Sequence, residues 1–484
     1  MATFFLSDDT FDQKLIRDVF PPDWKNPSPA GLYDLVIIGG GPAGMTAIKV
    51  ATERKARVAV VEQEHFGGEC LNVGCIPSKA LLASSRVAAA LRDCNNYGIE
   101  IIGEWRTKFA AVMERVRRLR TLISPHDSAD HFRQLGADVF LGAGRFKGPD
   151  ELEVQGQVLR FHKAVIAAGT QPAYPDIPGL QQAGFLTNQT VFNLTTLPGR
   201  LAVIGAGPQG CELAQAFARF GSRVTLITDG PRILPREDSE AATRLVDVLR
   251  NEGINVLTEC RVQSIDSQDG TKILHTSTGR ENVAVDEVLV TAGRAPAVEG
   301  YGLERANVGS DPHLGVTVND RLQTTNPNIY ALPARYNLTH VVKELARIAV
   351  QNALADAEAL ASTLTIPWCT YTDPEIAHVG LYEEEARAKG IRVQAFMVDL
   401  AGVDRAVLEG KAVGFVKLVV REGSRELLGA SLMAAHAGEM ISELTVAMAS
   451  GLGVTPLARA IHPFPTQAEA IRAAAENSFR AGSD

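Results

Sequence analysis

Cys70 and Cys75 stand five residues apart in the stretch Gly67-Gly68-Glu69-Cys70-Leu71-Asn72-Val73-Gly74-Cys75-Ile76-Pro77-Ser78-Lys79, just past a Gly-rich turn. Two thiols this close, followed by a helix-like run from Ser78, can close a small disulfide loop. A thiolate near that helix's positive N-terminal end has a depressed pKa, because the dipole favours the anion. Two intervening residues would suit zinc or a thioredoxin-type motif, whereas four suit neither, and no second Cys pair supplies further ligands. No metal site is expected. The residues alone leave two readings open: a dithiol couple, or two reduced and independent thiols.

The elements that would position such a pair lie on either side. Tyr33-Asp34-Leu35-Val36-Ile37-Ile38 is short and apolar enough for a buried parallel strand and runs directly into Gly39-Gly40-Gly41-Pro42-Ala43-Gly44. In that pattern Gly39 allows the tight turn, Gly41 lets backbone approach a pyrophosphate, and Gly44 lets the next helix pack on the strand, with the phosphate on the helix N-terminus. A second strand, Val58-Ala59-Val60-Val61, ends at Glu62, where an acid would bond a ribose diol. The alternative is a Gly-rich turn with a surface Glu. The pattern then repeats: Leu35 to Gln63 recurs 166 positions later as Leu201 to Asp229, with Gly205, Gly207 and Gly210 in the glycine positions. Two such units imply two dinucleotides, and hydride transfer between a flavin and a nicotinamide is chemistry that needs both.

The whole Cys70–Cys75 motif resembles the redox-active segment of class I flavoprotein disulfide reductases, the family of dihydrolipoamide dehydrogenase, glutathione reductase and mercuric reductase. The resemblance runs from about Tyr33 to the C-terminus. It implies an α/β chain with two Rossmann-like dinucleotide-binding domains, for FAD and NAD(P)H, and a C-terminal α+β dimerisation domain. The expected division is 1–32 extension, 33–188 first part of the FAD domain, 189–290 NAD(P) domain, 291–363 return of the FAD domain, and 364–484 dimerisation domain. It also implies that Cys75 faces the flavin as the charge-transfer thiolate, Cys70 exchanges with substrate, Lys79 lies by the flavin's reactive nitrogen, and Glu212 pairs with Lys79. Without the match, Glu212 reads as a partly exposed helix acid. The expected cofactor contacts are Gly39, Gly41, Pro42, Ala43, Gly44, Glu62, Gly68, Lys79, Gly169, Gly205, Gly207, Gly210, Thr228 and Gly293. Gly169 and Gly293 fall in runs, Ala164 to Thr170 and Val288 to Pro296, that resemble the family's two crossings between domains.

Four departures shape the functional expectation. Thr228 stands where the second unit's diol-binding acid belongs; Asp229 follows, and the basic residues of NADP-preferring relatives are not evident there, which favours NADH. The third FAD fingerprint, Thr324 to Leu332, ends in Pro333-Ala334 instead of Gly-Asp. Losing that charge-assisted bond costs about 1.5–3 kcal/mol, roughly one to two decades in affinity, so flavin binding is expected to be weakened and not excluded. Dithiol-using relatives carry His-x-His-Pro-Thr near the C-terminus with an orienting Glu; here His462 matches the first His, Phe464 replaces the catalytic one, and Glu469 matches the Glu. Phe cannot move a proton, and His462, two residues away, would sit about 6–7 Å along an extended segment. Finally, Ser124 to Ser128 and Val403 to Ala406 resemble the mercuric reductase branch, yet the chain ends without that branch's C-terminal Cys pair and lacks its N-terminal metal-capture domain.

The expected function is therefore that of a mercuric reductase-like NAD(P)H oxidoreductase, a homodimer passing electrons through FAD and Cys70/Cys75 to a metal ion, a quinone-like compound or a disulfide. Dihydrolipoamide dehydrogenase with His462 as the base, and a catalytically silent dimer of the same fold, are the alternatives. Composition agrees. At 484 residues several domains are expected, and a net charge of −8 offers no basic stripe for nucleic acid. Six cysteines are too sparse for a disulfide scaffold, and no run approaches the roughly 18 apolar residues of a membrane span, so a cytoplasmic, membrane-free protein is expected. Residues 1–32 read as a polar extension with a short helix over Phe11 to Val19, folded back or mobile.

Overall fold

A computed structural model describes residues 5–480, except 7, 278–281 and 356. The apolar run at the start of the first unit forms the strand Leu32–Ile38, buried from Leu35 onward. Its residues 35–38 pair in parallel with 58–61 on one side and 163–166 on the other. Asp138–Leu141 extends the sheet beyond Val58–Glu62, while Glu151–Val154 and Gly144–Gly148 pair antiparallel beyond Gln157–Ile166. Ile329–Ala331 returns late in the chain to lie parallel to the end of Gln157–Ile166. The carboxyl ends of four parallel strands, at Ile38, Glu62, Ile166 and Ala331, therefore share one edge, where an open α/β sheet binds its ligands.

The sequence repeat is a structural repeat. Strand Arg200–Ile204, helix Pro208–Phe220 and strand Arg223–Ile227 reproduce Leu32–Ile38, Pro42–Glu53 and Val58–Glu62, within a four-stranded parallel sheet completed by Asn255–Leu257 and Glu287–Val290. Gly39 and Gly205 turn with φ of +106° and +107°, in the left-handed region open to glycine. Beyond Pro367 the sheet is antiparallel, in the order Pro367–Thr370, Glu375–Gly380, Leu427–Ala434, Phe415–Arg421, Val393–Asp399, with helices Ala437–Ala449 and Glu469–Arg480 against it. The two crossings brace each other: Thr170–Pro172 and Arg294–Pro296 pair antiparallel.

Several elements differ in extent from the sequence expectation. The helix expected from Ser78 begins at Cys75 and continues to Asp93. Pro77 stands in its first turn, where its missing N–H costs nothing. Within the run 164–170, Gln157–Ile166 stops and Gly169 turns at φ +72° before Thr170–Pro172. The segment ahead of Tyr33 folds back on the body. Its helix Thr10–Val19 is capped by Asp9, whose side chain accepts from the Phe11 and Asp12 amides, and it buries Leu15 and Val19. Among the described residues no helix is long and apolar enough to cross a membrane.

A Cβ on Gly44 would stand 1.8 Å from the Gly39 carbonyl oxygen, whereas one on Gly41 would meet nothing closer than Gly68 Cα at 3.6 Å. Gly44→Ala is therefore expected to destabilise the fold by at least the ~1–3 kcal/mol typical of overpacking, and Gly41→Ala to leave the fold nearly unchanged. Calorimetric unfolding of the two variants checks the contrast.

Candidate active site

The short helix Gly68–Asn72 carries Cys70, and the long helix Cys75–Asp93 begins on Cys75. Both thiols are reduced. Cys70 donates its proton toward the Cys75 sulfur, and this hydrogen bond is the largest influence holding Cys75 down, at about 6, against burial. The Thr339 hydroxyl, 3.4 Å from Cys75 Sγ, and the Lys79 charge act in the same direction. The same bond, together with burial, pushes Cys70 far above the ordinary thiol range. Cys75 opens onto a cavity, so water reaches it although protein encloses it on most sides. The pair is thus one thiolate and one thiol.

Lys79 lies one helical turn beyond Cys75, and its Nζ donates to Glu212 Oε2 at 2.8 Å. The other Glu212 oxygen accepts from the Tyr371 amide at 2.8 Å, and the Tyr371 ring centre is 4.5 Å from the same Nζ. Glu212 comes from the second unit's first helix and Tyr371 from the chain beyond Pro367, so three parts of the fold converge on one ammonium. Nearby, Glu69 pairs with Arg294, whose Nε also donates to Thr170 Oγ1 at 2.6 Å.

One cavity of about 800 Å³ runs from the first glycine turn to these groups. Gly39, Gly41, Pro42, Ala43, Glu62, Gly68, Gly169, both cysteines, Lys79 and Glu212 all line it. The helix Pro42–Glu53 opens at Gly41 with no side chain capping its first amides, which leaves them directed at the cavity. The buried Asn72 faces the same space, and its Oδ1 has no partner. Glu62 accepts from the Gly40 amide at 2.5 Å and the Glu64 amide at 2.6 Å, and burial pushes its pKa up to about 7. An uncapped helix start, a glycine that leaves room, an acid at the end of the second strand and an orphaned acceptor together fit a bound dinucleotide. At the third fingerprint, Leu332, Pro333 and Ala334 line the cavity with no carboxylate.

The remaining expected residues lie elsewhere. Gly44 packs against Gly39 and does not reach the cavity wall. Gly205, Gly207 and Gly210 form the second turn; Gly207 starts the helix Pro208–Phe220 with no side-chain cap. Thr228 spends its Oγ1 accepting from the Gly230 amide at 3.2 Å, and Gly293 sits in the second crossing at φ +159°. At the far end, Glu469 accepts from the Thr466 amide at 3.2 Å, Phe464 is 71% exposed, and His462 Nε2 is held by Glu443 at 3.0 and 3.2 Å. None of the three lines the cavity of its own chain.

Sequence reasoning did not single out Thr339, Tyr371 or the Glu69–Arg294 pair. Thr339 opens the helix Thr339–Ala355, and a Thr before an apolar run is a helix-start signal that could have marked it. The other two are long-range contacts with no local signal.

Comparison with known proteins places this geometry. Residues 33–351 match the family model described as pyridine nucleotide-disulphide oxidoreductase, and residues 366–475 match its dimerisation domain. A dihydrolipoyl dehydrogenase of Mycoplasma pneumoniae is 34% identical over 91% of this chain and 97% of its own. A mercuric reductase of Staphylococcus aureus is 32% identical over 98% of this chain and 90% of its own. Among solved structures, the HOCl-induced flavoprotein disulfide reductase RclA from Escherichia coli superposes with a TM-score of 0.82 at 28% identity, covering 92% of this chain and 99% of that one, and a Cu(II) complex of it is also known.

In the reduced protein, alkylation of Cys75 by iodoacetamide should rise through a midpoint near pH 6, against about 8.5 for a free cysteine. The thiolate is lost as pH falls through that midpoint. Cys70→Ala, which removes the principal donor, should raise the midpoint most, and Lys79→Met by less; mass spectrometry of the Cys75 peptide reads both.

Proposed function

Because this chain belongs to the pyridine nucleotide-disulphide oxidoreductase family, enzymes that use FAD and NAD(P)H, we propose that Cys70 and Cys75 are its redox-active pair and that they deliver electrons to an acceptor needing no proton from the site. The observation that carries this reading is the shared cavity: both sulfurs, Lys79 and Glu212 open onto the space that begins at the first glycine turn. FAD, when bound there, supplies two-electron transfer between the nicotinamide and the sulfurs. The residues that would hold it are Gly41, Pro42 and Ala43 at the helix start, Glu62 at the ribose, and Asn72 and Lys79 near the cysteines.

The chain's own chemistry is set by the two sulfurs. In the reduced pair Cys75 holds the charge and Cys70 the proton. Reoxidation joins the sulfurs, passes two electrons to the acceptor and releases the single proton from Cys70. Lys79, fixed between Glu212 and the Tyr371 ring, keeps a positive charge beside the thiolate. Asp229, which follows Thr228 at the diol position, supports NADH as donor.

The acceptor follows from what the C-terminal segment lacks. A disulfide or dithiol substrate needs a base at the exchanging sulfur, and Phe464 offers none. His462 is side-chain buried and tied to Glu443, which supports its reading as a packed residue. A metal ion or quinone-like compound is the acceptor class this favours, in keeping with a related reductase known as a Cu(II) complex. The dimerisation domain supports a homodimer, in which a partner's C-terminal segment covers each cavity mouth.

Phe464→His is expected to raise NADH-dependent reduction of lipoamide by at least about tenfold, since a placed acid/base contributes roughly 10²–10⁴; His462→Gln should change it little. Wild-type turnover of lipoamide at rates matching His-bearing relatives would overturn this reading. Separately, Ala334→Asp should tighten FAD binding by roughly one decade or more, measured by flavin fluorescence on dilution.

A further inference from the structure

A fully buried ion pair lies outside the active site. Asp12 and Arg120 are both fully buried, and Arg120 Nη2 donates to Asp12 Oδ1. Asp12 lies on the helix Thr10–Val19 and Arg120 on Phe109–Ile123. The second arm of the guanidinium, Nη1, donates to the backbone oxygen of Asn72 at 2.5 Å. Asn72 ends the short helix bearing Cys70 and stands between the two cysteines.

Further contacts follow the same route. The Phe66 amide donates to the Val19 carbonyl at 3.0 Å, and the Phe5 ring lies over Arg120 at 5.0 Å and edge-on to His65 at 4.8 Å. Asp9 accepts from Arg117 Nε at 2.7 Å, and Thr121 Oγ1 donates to the Phe11 carbonyl at 2.8 Å. Farther along, Asn26 pairs with both backbone groups of Leu141 and closes the edge of the first sheet. In each of these contacts one partner lies ahead of residue 33, where the family match begins, and the other lies within the matched body.

We propose that residues 8–26 form a strap that holds the loop between Cys70 and Cys75 through Asp12, Arg120 and the Asn72 carbonyl, and so fixes the distance between the sulfurs; Asp12 and Arg120 are positioning residues of the dithiol. The inference rests on the reading of that pair given above. A buried guanidinium stays in place only while its charge is compensated. Without the Asp12 carboxylate, Arg120 loses that compensation and its grip on Asn72 slackens. The loop between the cysteines is four residues long, so a shift at Asn72 reaches both. The Cys70-to-Cys75 hydrogen bond depends on their separation and weakens first, while the Thr339 and Lys79 contributions, made from outside the loop, remain.

The test compares Asp12→Asn with Asn26→Ala, which loosens the strap at the sheet edge and leaves Arg120 paired. In reduced protein, Asp12→Asn should raise the pH midpoint for Cys75 alkylation by about one unit, a tenfold loss of thiolate on the acid side, and shift the dithiol–disulfide equilibrium against a glutathione buffer. Asn26→Ala should lower the melting temperature and leave both readouts at wild-type values. The strap inference is overturned if Asp12→Asn titrates like wild type, or if Asn26→Ala moves the midpoint equally. A wild-type midpoint near that of a free cysteine would sink the dithiol reading itself and the strap with it. Should Asp12→Asn not fold, hydrogen exchange on the wild-type protein decides: amides 71–75 opening together with 11–19 support the strap, and independent opening refutes it.

Discussion

The site depends on a single negative charge, held on the Cys75 sulfur by the proton of Cys70. A thiolate in a partly enclosed cavity is costly unless donors face it, and burial here does oppose the charge. Three groups from three segments offset that cost: the Cys70 thiol from the adjoining short helix, the Thr339 hydroxyl from the start of the return helix, and the Lys79 ammonium from the next turn. The first of these is the largest, and it is made across the loop of four residues between the cysteines. Two positive-φ glycines, Gly67 and Gly68, precede that loop, and Asn72 within it donates its side-chain amide to the Phe66 and Gly68 carbonyls at 2.9 and 2.8 Å.

Packing explains why Lys79 and Glu212 meet although 133 positions separate them. The helix Cys75–Asp93 does not belong to the first unit's core alone. Its Leu81 and Leu82 are buried in the same cluster as Leu213, Phe217 and Phe220 of the second unit's first helix, with Phe109 between them. Each such side chain contributes about 1.5–3 kcal/mol on burial, so the two helices are held in register by apolar contacts, and the ion pair is a consequence of that register. Glu212 is 5% exposed and Lys79 38%, so the carboxylate is the fixed partner and the ammonium the one that reaches to it. The Tyr371 amide and ring complete the seat.

What the sequence reveals and what it conceals divide along the range of the interaction. The glycine turns were legible because their constraint is local and steric: nothing larger than hydrogen fits at Gly44 against Gly39, nor at Gly210, where a Cβ would stand 1.9 Å from the Gly205 oxygen. The repeat, the buried strands and the cysteine pair were legible for the same reason, since each is written in a few consecutive residues. Asp12 and Arg120 are 108 positions apart, and no periodicity announces that they meet. An acid on a short amphipathic helix and an arginine on a longer one both read as solvated faces, and only the tertiary fold shows that they are the most deeply buried charges near the loop. The helix begins three residues ahead of the run expected from Ser78, at Cys75, because proline in the first turn is compatible with a helix.

The C-terminal segment is where local order and exposure disagree, and the disagreement carries information. His462 is tied to Glu443, Glu469 accepts from the Thr466 amide, and Arg405 donates to the Pro465 carbonyl at 3.3 Å, so the backbone from 462 to 469 is well anchored. Yet Ile461 is 91% and Phe464 71% exposed. A segment pinned by its polar groups while presenting two large apolar side chains to water has a surface made for covering, and the dimerisation domain in which it lies supports a second copy as the cover. An aromatic ring in the place where relatives hold a base has a further chemical effect. It supplies no proton, which is the ground for the acceptor class proposed above.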